Sequence, residues 1–327
     1  MGLNKKIYIY ALCDVHYDSY YLKGIKEVFS SYSFNINKFP KFRQGVFAVI
    51  LSENNSSIKL IIDSRDTNEY NEEELNWCDV YGKVNYNLKN IPEKYKEKIK
   101  PIGPSFGIKI WNLPVTIFKS ISNYLMFRKF VSNKREFFAN YWRQYKRMPL
   151  ERYQNSASLK KYIFFTGSIW KNESLTNKAR AAFIKACKNN DKIVFEGGFA
   201  PRKDGNNLDF ESLVVSKRFS LQEYLEKIKQ SSIVFNTPAV LSCHGWKLAE
   251  FLALGKAIIT TNHLNEFPVE LENNVHAIYV DSNESIADKI NLILSDEKLK
   301  ATLEKNSKKY FDEYLAPKIV IERLLFK

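Results

Sequence analysis

Cysteine is scarce in this sequence of 327 residues: Cys13, Cys78, Cys187 and Cys243 lie far apart, and no C-x-x-C pair occurs. That spacing argues against a disulfide framework and a structural zinc site, and it fits a reducing compartment. No stretch approaches the roughly 18 unbroken apolar residues that a membrane span requires. The start of the chain runs straight into a strand-like segment without the basic, apolar and small-residue order of a signal peptide. A cytoplasmic location is therefore expected. Glycine numbers only 12, and neither G-x-G-x-x-G, G-x-x-x-x-G-K-[ST] nor H-E-x-x-H is found. Dehydrogenase, P-loop and zinc-hydrolase readings have no residues to rest on, so no cofactor and no metal ligands are expected.

Acidic residues are the next shortfall. Lys and Arg number 50 against 36 Asp and Glu, a formal charge of +14. Such a charge speaks of partners rather than of fold, and phosphorylated small molecules, nucleic acid and anionic lipid all fit it. The imbalance is sharpest between residues 114 and 152. Here Lys119, Arg128, Lys129, Lys134, Arg135, Arg143, Lys146, Arg147 and Arg152 are interleaved with Phe118, Tyr124, Phe127, Phe130, Phe137, Phe138, Tyr141 and Trp142, and only Glu136 and Glu151 are acidic. One reading is a pair of amphipathic helices closing the first domain, with the basic residues on the solvated face. The other is a membrane-surface patch attracted by anionic headgroups and anchored by aromatic side chains. The two can hold together.

What the sequence does have is a repeated alternation of buried strands and helical patterns. Lys5–Leu12, Gly45–Leu51, Ile58–Ile62 and Trp77–Tyr86 read as strands of a first sheet, with a helix through Leu22, Ile25 and Phe29. A polar segment at Gln154–Lys160 suits a hinge. A second series follows in Tyr162–Thr166, Lys192–Glu196, Ser232–Asn236, Ala257–Thr261 and Ala277–Val280. Its intervening helices are expected at Thr176–Lys188, Leu221–Gln230, Lys247–Leu254 and Ser285–Leu294. Continuous apolar strands separated by helices predict parallel, doubly wound sheets in an α/β protein. The expected domains are residues 1–155 and 156–327. A helical tail beyond Leu299, interrupted at Pro317, is assigned to the second domain, with its last helix expected to return to the first.

The densest cluster of chemistry is Asn236-Thr237-Pro238 followed by His244-Gly245-Trp246-Lys247-Leu248-Ala249-Glu250 and a glycine stop at Gly255. It reads as strand, loop, helix, glycine, strand. Gly245 permits close backbone approach, and the amides of the helix start point outward with the positive end of the dipole, which suits phosphate. Lys247 falls in the first turn, beside a bound diphosphate. Glu250, one turn on, is placed to accept hydrogen bonds from a ribose.

This segment resembles the C-terminal domain of GT-B glycosyltransferases, especially those related to family 4, in which an L-A-E-x-x-A-x-G-x-P-I-I-like stretch binds the donor's phosphates and ribose. The resemblance extends over most of residues 160 to 327. It implies two Rossmann-like domains facing a cleft, with a nucleoside-diphosphate sugar on the second and the acceptor between them. It also implies ribose binding by Glu250, and Gly245, Trp246 and Lys247 around the diphosphate. Family 4 enzymes usually carry another glutamate eight positions earlier. Here that position is Ser242, which leaves a retaining or inverting outcome open. His244 is a contact to the donor sugar or phosphate, or a structural loop histidine.

Further donor-site candidates are Gly167 and Ser168 after the first strand of the second domain, Gly198 in the Gly197-Gly198-Phe199 run after the next, and Phe219 as a base-packing ring. Arg180 reads as surface charge. Ser220 and Glu223 form a helix capping box. In the first domain Asp14, His16 and Asp18 follow the first strand, where open α/β sheets bind ligands. A histidine there is able to take a proton from an acceptor hydroxyl near neutrality, and an aspartate does the same when partly desolvated; a loop cap explains them equally well. Asp63-Ser64-Arg65-Asp66 lacks the D-x-D pattern of metal-binding transferases.

The resulting expectation is metal-independent transfer of a sugar from a nucleotide sugar to a glycan or lipid-linked hydroxyl, as in bacterial surface polysaccharide assembly, by a protein peripheral to the inner face of the membrane. A sugar-nucleotide epimerase or hydrolase of the same fold is the alternative. A nucleic-acid-binding protein is another class, but no RNA-recognition signature or zinc finger accompanies the charge, and no nucleic-acid partner is expected.

Overall fold

A computed structural model describes residues 5–53 and 56–326. The chain forms two compact units. One comprises Met1–Arg152, Glu266–Pro268 and Tyr314–Lys327; the other comprises Tyr153–Asn265 and Val269–Glu313.

The first unit contains β1 (Lys5–Tyr10), α1 (Ser19–Phe29), β2 (Ser33–Asn35), β3 (Phe47–Glu53), β4 (Ser56–Asp63), α2 (Glu72–Trp77), β5 (Val80–Lys83), β6 (Ile99–Pro101), α3 (Leu113–Phe127) and α4 (Lys134–Tyr145). Its sheet has the order β2-β1-β3-β4-β5-β6. The sheet is α/β as expected but not wholly parallel, because β3 runs antiparallel to both β1 and β4. Sequence length explains this: only Asn54 and Asn55 separate β3 from β4, whereas a parallel crossover needs a dozen residues or more. The other pairs, β1 with β2, β4 with β5 and β5 with β6, are parallel.

The C-terminal helix, Pro317–Phe326, packs on α1 within this unit. Tyr20 donates its hydroxyl to the Leu315 carbonyl at 2.6 Å, and Gly24 gives the two backbones room: a Cβ there would lie 2.2 Å from the Pro317 carbonyl oxygen. The three-residue segment Glu266–Pro268 is tied to the same unit by the Glu266 amide, which donates to the Tyr86 carbonyl at 2.8 Å.

The second unit contains β7 (Tyr162–Gly167), α5 (Ser174–Lys188), β8 (Val194–Phe199), α6 (Leu221–Gln230), β9 (Val234–Asn236), α7 (Gly245–Ala253), β10 (Ile258–Thr260), β11 (Ile278–Tyr279), α8 (Ile286–Ser295) and α9 (Glu297–Tyr310). Every ladder in it is parallel: β7 with β8, β9 with β10, and β10 with β11. Two serines join the two ladders. The Ser232 amide donates to the Tyr162 carbonyl at 2.8 Å, and the Phe164 amide donates to Ser231 Oγ at 2.9 Å. The order across the unit is therefore β8-β7-β9-β10-β11, and the connection reverses direction between β7 and β9. Ile163, Phe165, Phe183, Phe235 and Ile259 form its core, with the Phe183 and Phe235 rings stacked at 4.5 Å. The capping box on α6 forms, with Glu223 N–H donating to Ser220 Oγ at 3.2 Å and Ser220 N–H donating to Glu223 Oε2 at 2.8 Å.

One strand boundary differs from expectation. Gly197, Gly198 and Phe199 lie inside β8 rather than after it. The lack of side chains on the two glycines is a packing requirement: a Cβ on Gly197 would lie 1.8 Å from the Phe165 carbonyl, and one on Gly198 2.4 Å from the Leu213 carbonyl.

Replacing Gly24 by alanine forces α1 and the C-terminal helix apart. Overpacking of this kind costs about 1–3 kcal/mol, so G24A is expected to lower the urea midpoint of unfolding; an unchanged midpoint would contradict the described helix contact.

Candidate functional site

Open α/β sheets bind ligands at the carboxyl ends of strands where the connection reverses. In the second unit that point lies between β7 and β9, and a cavity of about 450 Å³ sits there. Thr166, Gly167 and Ser168 line it from the end of β7, Asn236 and Thr237 from the end of β9, and Gly245, Trp246 and Lys247 from the first turn of α7. Arg180 reaches in from α5, and Arg218, Phe219 and Tyr224 from α6 and its approach.

Arg180 is the main correction to the sequence reading. It is buried, not a surface charge, and is held by Nε donation to Thr237 Oγ1 at 2.9 Å and by NH1 donation to the Ser168 carbonyl at 2.8 Å. Burial pulls its pKa down to about 10. The sequence carried a weak signal for it: Arg180 interrupts the apolar stripe of α5 between Ala179, Ala181 and Phe183, all of them buried.

Lys247 is half-buried. Its ammonium donates to the Thr166 carbonyl and lies 5.3 Å from the Phe165 ring centre. Desolvation, with the nearby Arg180 charge adding to it and Glu250 opposing, lowers its pKa to about 7. Among the described residues neither cation forms an ion pair. Buried cations held only by neutral oxygens stay charged at a cost, and a bound anion removes that cost.

The helix start reinforces the site. Gly245 adopts φ +67, α7 has no acidic residue in its first turn, and that turn carries the positive end of the helix dipole. The preceding loop is strained: Leu241 and Ser242 both occupy the left-handed region, at φ 55 and 59, a conformation that costs about 1–3 kcal/mol each for residues other than glycine. It is held by the Leu241 amide donating to Glu173 Oε1 at 2.9 Å and by Asn265 Nδ2 donating to the Ser242 carbonyl at 3.1 Å.

His244 does not line the cavity. It is buried, with Nδ1 3.4 Å from Nδ1 of His263. His263 in turn lies 3.1 Å from Thr260 Oγ1 through Nε2. Burial, reinforced by His244, holds the His263 pKa well below its usual value. His263 was absent from the sequence reading because only the fold brings the end of β10 beside the start of α7. Glu250 is buried one turn into α7, where its Oε2 accepts from the Tyr224 hydroxyl at 2.9 Å. Tyr224 is thus the residue through which the cavity reaches Glu250. Phe219 lines the cavity with its ring edge-on to Phe164 at 5.0 Å. Gly198 serves β8 packing, as described above.

In the first unit Asp14, His16 and Asp18 form one loop after β1. The Asp14 carboxylate accepts the His16 and Tyr17 amides at 3.0 and 3.2 Å. The buried Asp18 accepts the Asp14 amide at 3.0 Å, and burial, with Asp14 nearby, drives its pKa well up. Both aspartates therefore hold the loop's shape. His16 is half-buried, and burial, together with Arg147 and Arg143, lowers its pKa to about 4. Its ring is neutral at pH 7.

Because the folded-state pKa of Lys247 lies below its unfolded value, its burial penalty is full below about pH 7 and fades as pH rises toward the unfolded pKa of about 10.5. Lys247→Met is expected to raise Tm at pH 6, with a gain that shrinks by pH 9, as read by calorimetry; no gain at pH 6 would contradict the desolvated lysine.

The comparisons with known proteins follow from this geometry. Residues 211–310, which include α6, α7 and β10, match the family described as "Glycosyl transferases group 1". No curated protein matches the chain. Similar solved structures include the C-terminal domain of a glycosyl transferase group 1 family protein (LpcC) from Francisella tularensis, 18% identical, covering 50% of this chain and 95% of that one with a TM-score of 0.36. Anabaena Alr3699/HepE in complex with UDP and glucose is 12% identical, with 76% of each chain covered and a TM-score of 0.41. A glycosyltransferase from Rickettsia africae is 16% identical, with 76% of this chain and 64% of that one covered and a TM-score of 0.37. The similarity to the glycosyl transferases group 1 family spans residues 211–310, less than a third of the chain.

Proposed function

We propose that the protein is a glycosyltransferase that takes its sugar from a nucleoside-diphosphate sugar held in the cavity of the second unit. The observation that carries this reading is the pair of cations beside the start of α7, the buried Arg180 and the half-buried Lys247, which are held by neutral oxygens and form no ion pair among the described residues. A diphosphate satisfies both, and the positive end of the α7 dipole favours it there. A cavity of about 450 Å³ lies within the usual range for small-molecule sites. The ribose is placed at Tyr224 and Glu250, and the base at the edge of Phe219.

In this reading the same cations and amides stabilise the charge that develops on the leaving diphosphate as the glycosidic bond breaks, the preorganised electrostatic contribution common to transferases. The acceptor is a hydroxyl of a glycan or a lipid-linked carrier, in the assembly of a bacterial surface polysaccharide on the cytoplasmic side of the membrane. His16 is the proposed base for that hydroxyl. Its ring is neutral at pH 7, the form that accepts a proton, while burial together with Arg147 and Arg143 makes it a weaker base than an ordinary imidazole. Ser242 supplies no carboxylate at the position eight residues before Glu250.

A thermal-shift panel of nucleotide sugars tests the donor. One compound is expected to raise Tm, since a ligand at 100 times its Kd stabilises by about 2.7 kcal/mol. The double variant Lys247→Ala, Glu250→Ala is expected to lose that shift and at least about a hundredfold in turnover, in the range of lost oxyanion-type stabilisation; undiminished turnover would overturn the donor site. Binding of the same nucleotide sugar is expected to weaken between pH 7 and 9, as Lys247 must take up a proton to meet the diphosphate, and Lys247→Arg is expected to remove that dependence. His16→Ala is expected to reduce kcat by about 10²–10⁴, the usual contribution of general base catalysis, with donor affinity unchanged; an unchanged kcat would dismiss His16.

A further inference from the structure

Helix α3 is packed the wrong way round for a helix facing water. Its buried stripe is Thr116, Ser120, Asn123 and Phe127, polar at three of four positions. Those polar groups are satisfied close by: the Thr116 hydroxyl donates to the Asn112 carbonyl at 2.8 Å, the Ser120 hydroxyl to the Ile117 carbonyl at 2.9 Å, and Asn123 Nδ2 to the Tyr141 hydroxyl at 2.7 Å. The opposite face carries Leu113, Ile117, Ile121 and Leu125 at four-residue spacing, with Phe118 and Met126 beside them. Phe118 is 70% exposed, Leu125 59% and Met126 60%. A helix is normally amphipathic in the other sense, and a contiguous exposed apolar face of this kind marks a surface meant to be covered.

Its surroundings say what covers it. Arg128 and Lys129 follow the last turn of α3, and Lys134 and Arg135 open α4; all four are exposed. Lys119 sits on the flank, 5.3 Å from the Trp111 ring centre. Glu136, the acidic residue in this stretch, is engaged by Arg143. Phe130, 50% exposed, adds an aromatic ring at the basic end. A second copy of the chain is disfavoured on this face, since it would bring together two basic rims on chains of formal charge +14. No helix among the described residues is long and apolar enough to cross a membrane. An apolar helix face bordered by lysine and arginine fits the boundary between acyl chains and anionic headgroups.

We infer that α3 lies in the surface of an anionic lipid bilayer, with Ile117, Phe118, Ile121 and Leu125 among the acyl chains and the Arg128–Arg135 basic cluster on the headgroups. This binding does not depend on the donor chemistry proposed above, and it is read without any turnover.

The experiment is co-sedimentation of the full chain with vesicles of phosphatidylcholine alone and of phosphatidylcholine with about one-third phosphatidylglycerol. The wild type is expected to bind the anionic vesicles and to be released by high salt, since surface attraction decays within a Debye length. Burying one large apolar side chain is about a tenfold effect, so Phe118→Asp with Leu125→Asp is expected to weaken binding at least tenfold. Lys129→Glu with Lys134→Glu is expected to abolish the preference for anionic lipid. All of these positions are exposed, so an unchanged melting temperature verifies that the variants fold. Three results would overturn the inference: no wild-type binding to anionic vesicles, equal binding by the Phe118 and Leu125 variant, or a wild-type dimer that the same variant dissociates.

Discussion

The second unit is built around two positive charges that it buries without a negative partner. Desolvating an ammonium or a guanidinium is among the costliest things a fold does, and folds usually offset it with a carboxylate. Here the offset is partial: a hydroxyl and two backbone carbonyls hold Arg180 and Lys247, and the remaining cost shows as lowered pKa values, to about 10 and about 7. The placement of the rest follows. Arg180 stands mid-way along α5, Lys247 in the first turn of α7, and both converge on the reversal point between β7 and β9, where the amides of α7 add a third source of positive potential.

The first unit treats its buried charges in the opposite way. Asp63 accepts Lys83 at 2.8 Å and Arg65 at 2.6 Å, while Arg65 also reaches Glu74 at 2.7 Å. The Tyr81 hydroxyl donates to Asp63 at 2.7 Å. Arg43 adds a third cation on Glu74 at 3.3 Å, so every charged group of the network has an ion-pair partner. The contrast separates a structural use of buried charge from a binding one. A paired network ties β4 and β5 to α2, whereas Arg180 and Lys247 form no ion pair among the described residues and are held by neutral oxygens.

Both unusual local features lie where the packing is one-sided. The left-handed Leu241 and Ser242 lie in the loop that leads through Cys243 and His244 into α7. Helix α3 has its polar stripe inside and its apolar stripe outside, with the inward polar groups satisfied by Asn112, Ile117 and Tyr141.

Composition and periodicity were enough to read the α/β class, the parallel strands of the second unit, the α6 capping box and the α7 helix with its glycine start, because each depends on residues near one another in the chain. The same local reading failed at β3, whose direction is set by the length of its connection to β4, and at Gly198, whose role is set by the Leu213 backbone packed against it. It also could not tell which face of α3 is buried, since an apolar–polar period looks alike whichever side turns inward. Arg180 looked like surface charge for the same reason: the hydroxyl and carbonyl that hold it come from Thr237 and Ser168, 57 and 12 residues away. The helix that carries Gly245, Lys247 and Glu250 was legible in the sequence alone. That its lysine shares a cavity with a second buried cation, that His244 turns to His263, and that Glu250 is reached through Tyr224 were decided by tertiary structure, because electrostatic and hydrogen-bond partners are neighbours in space and not in sequence.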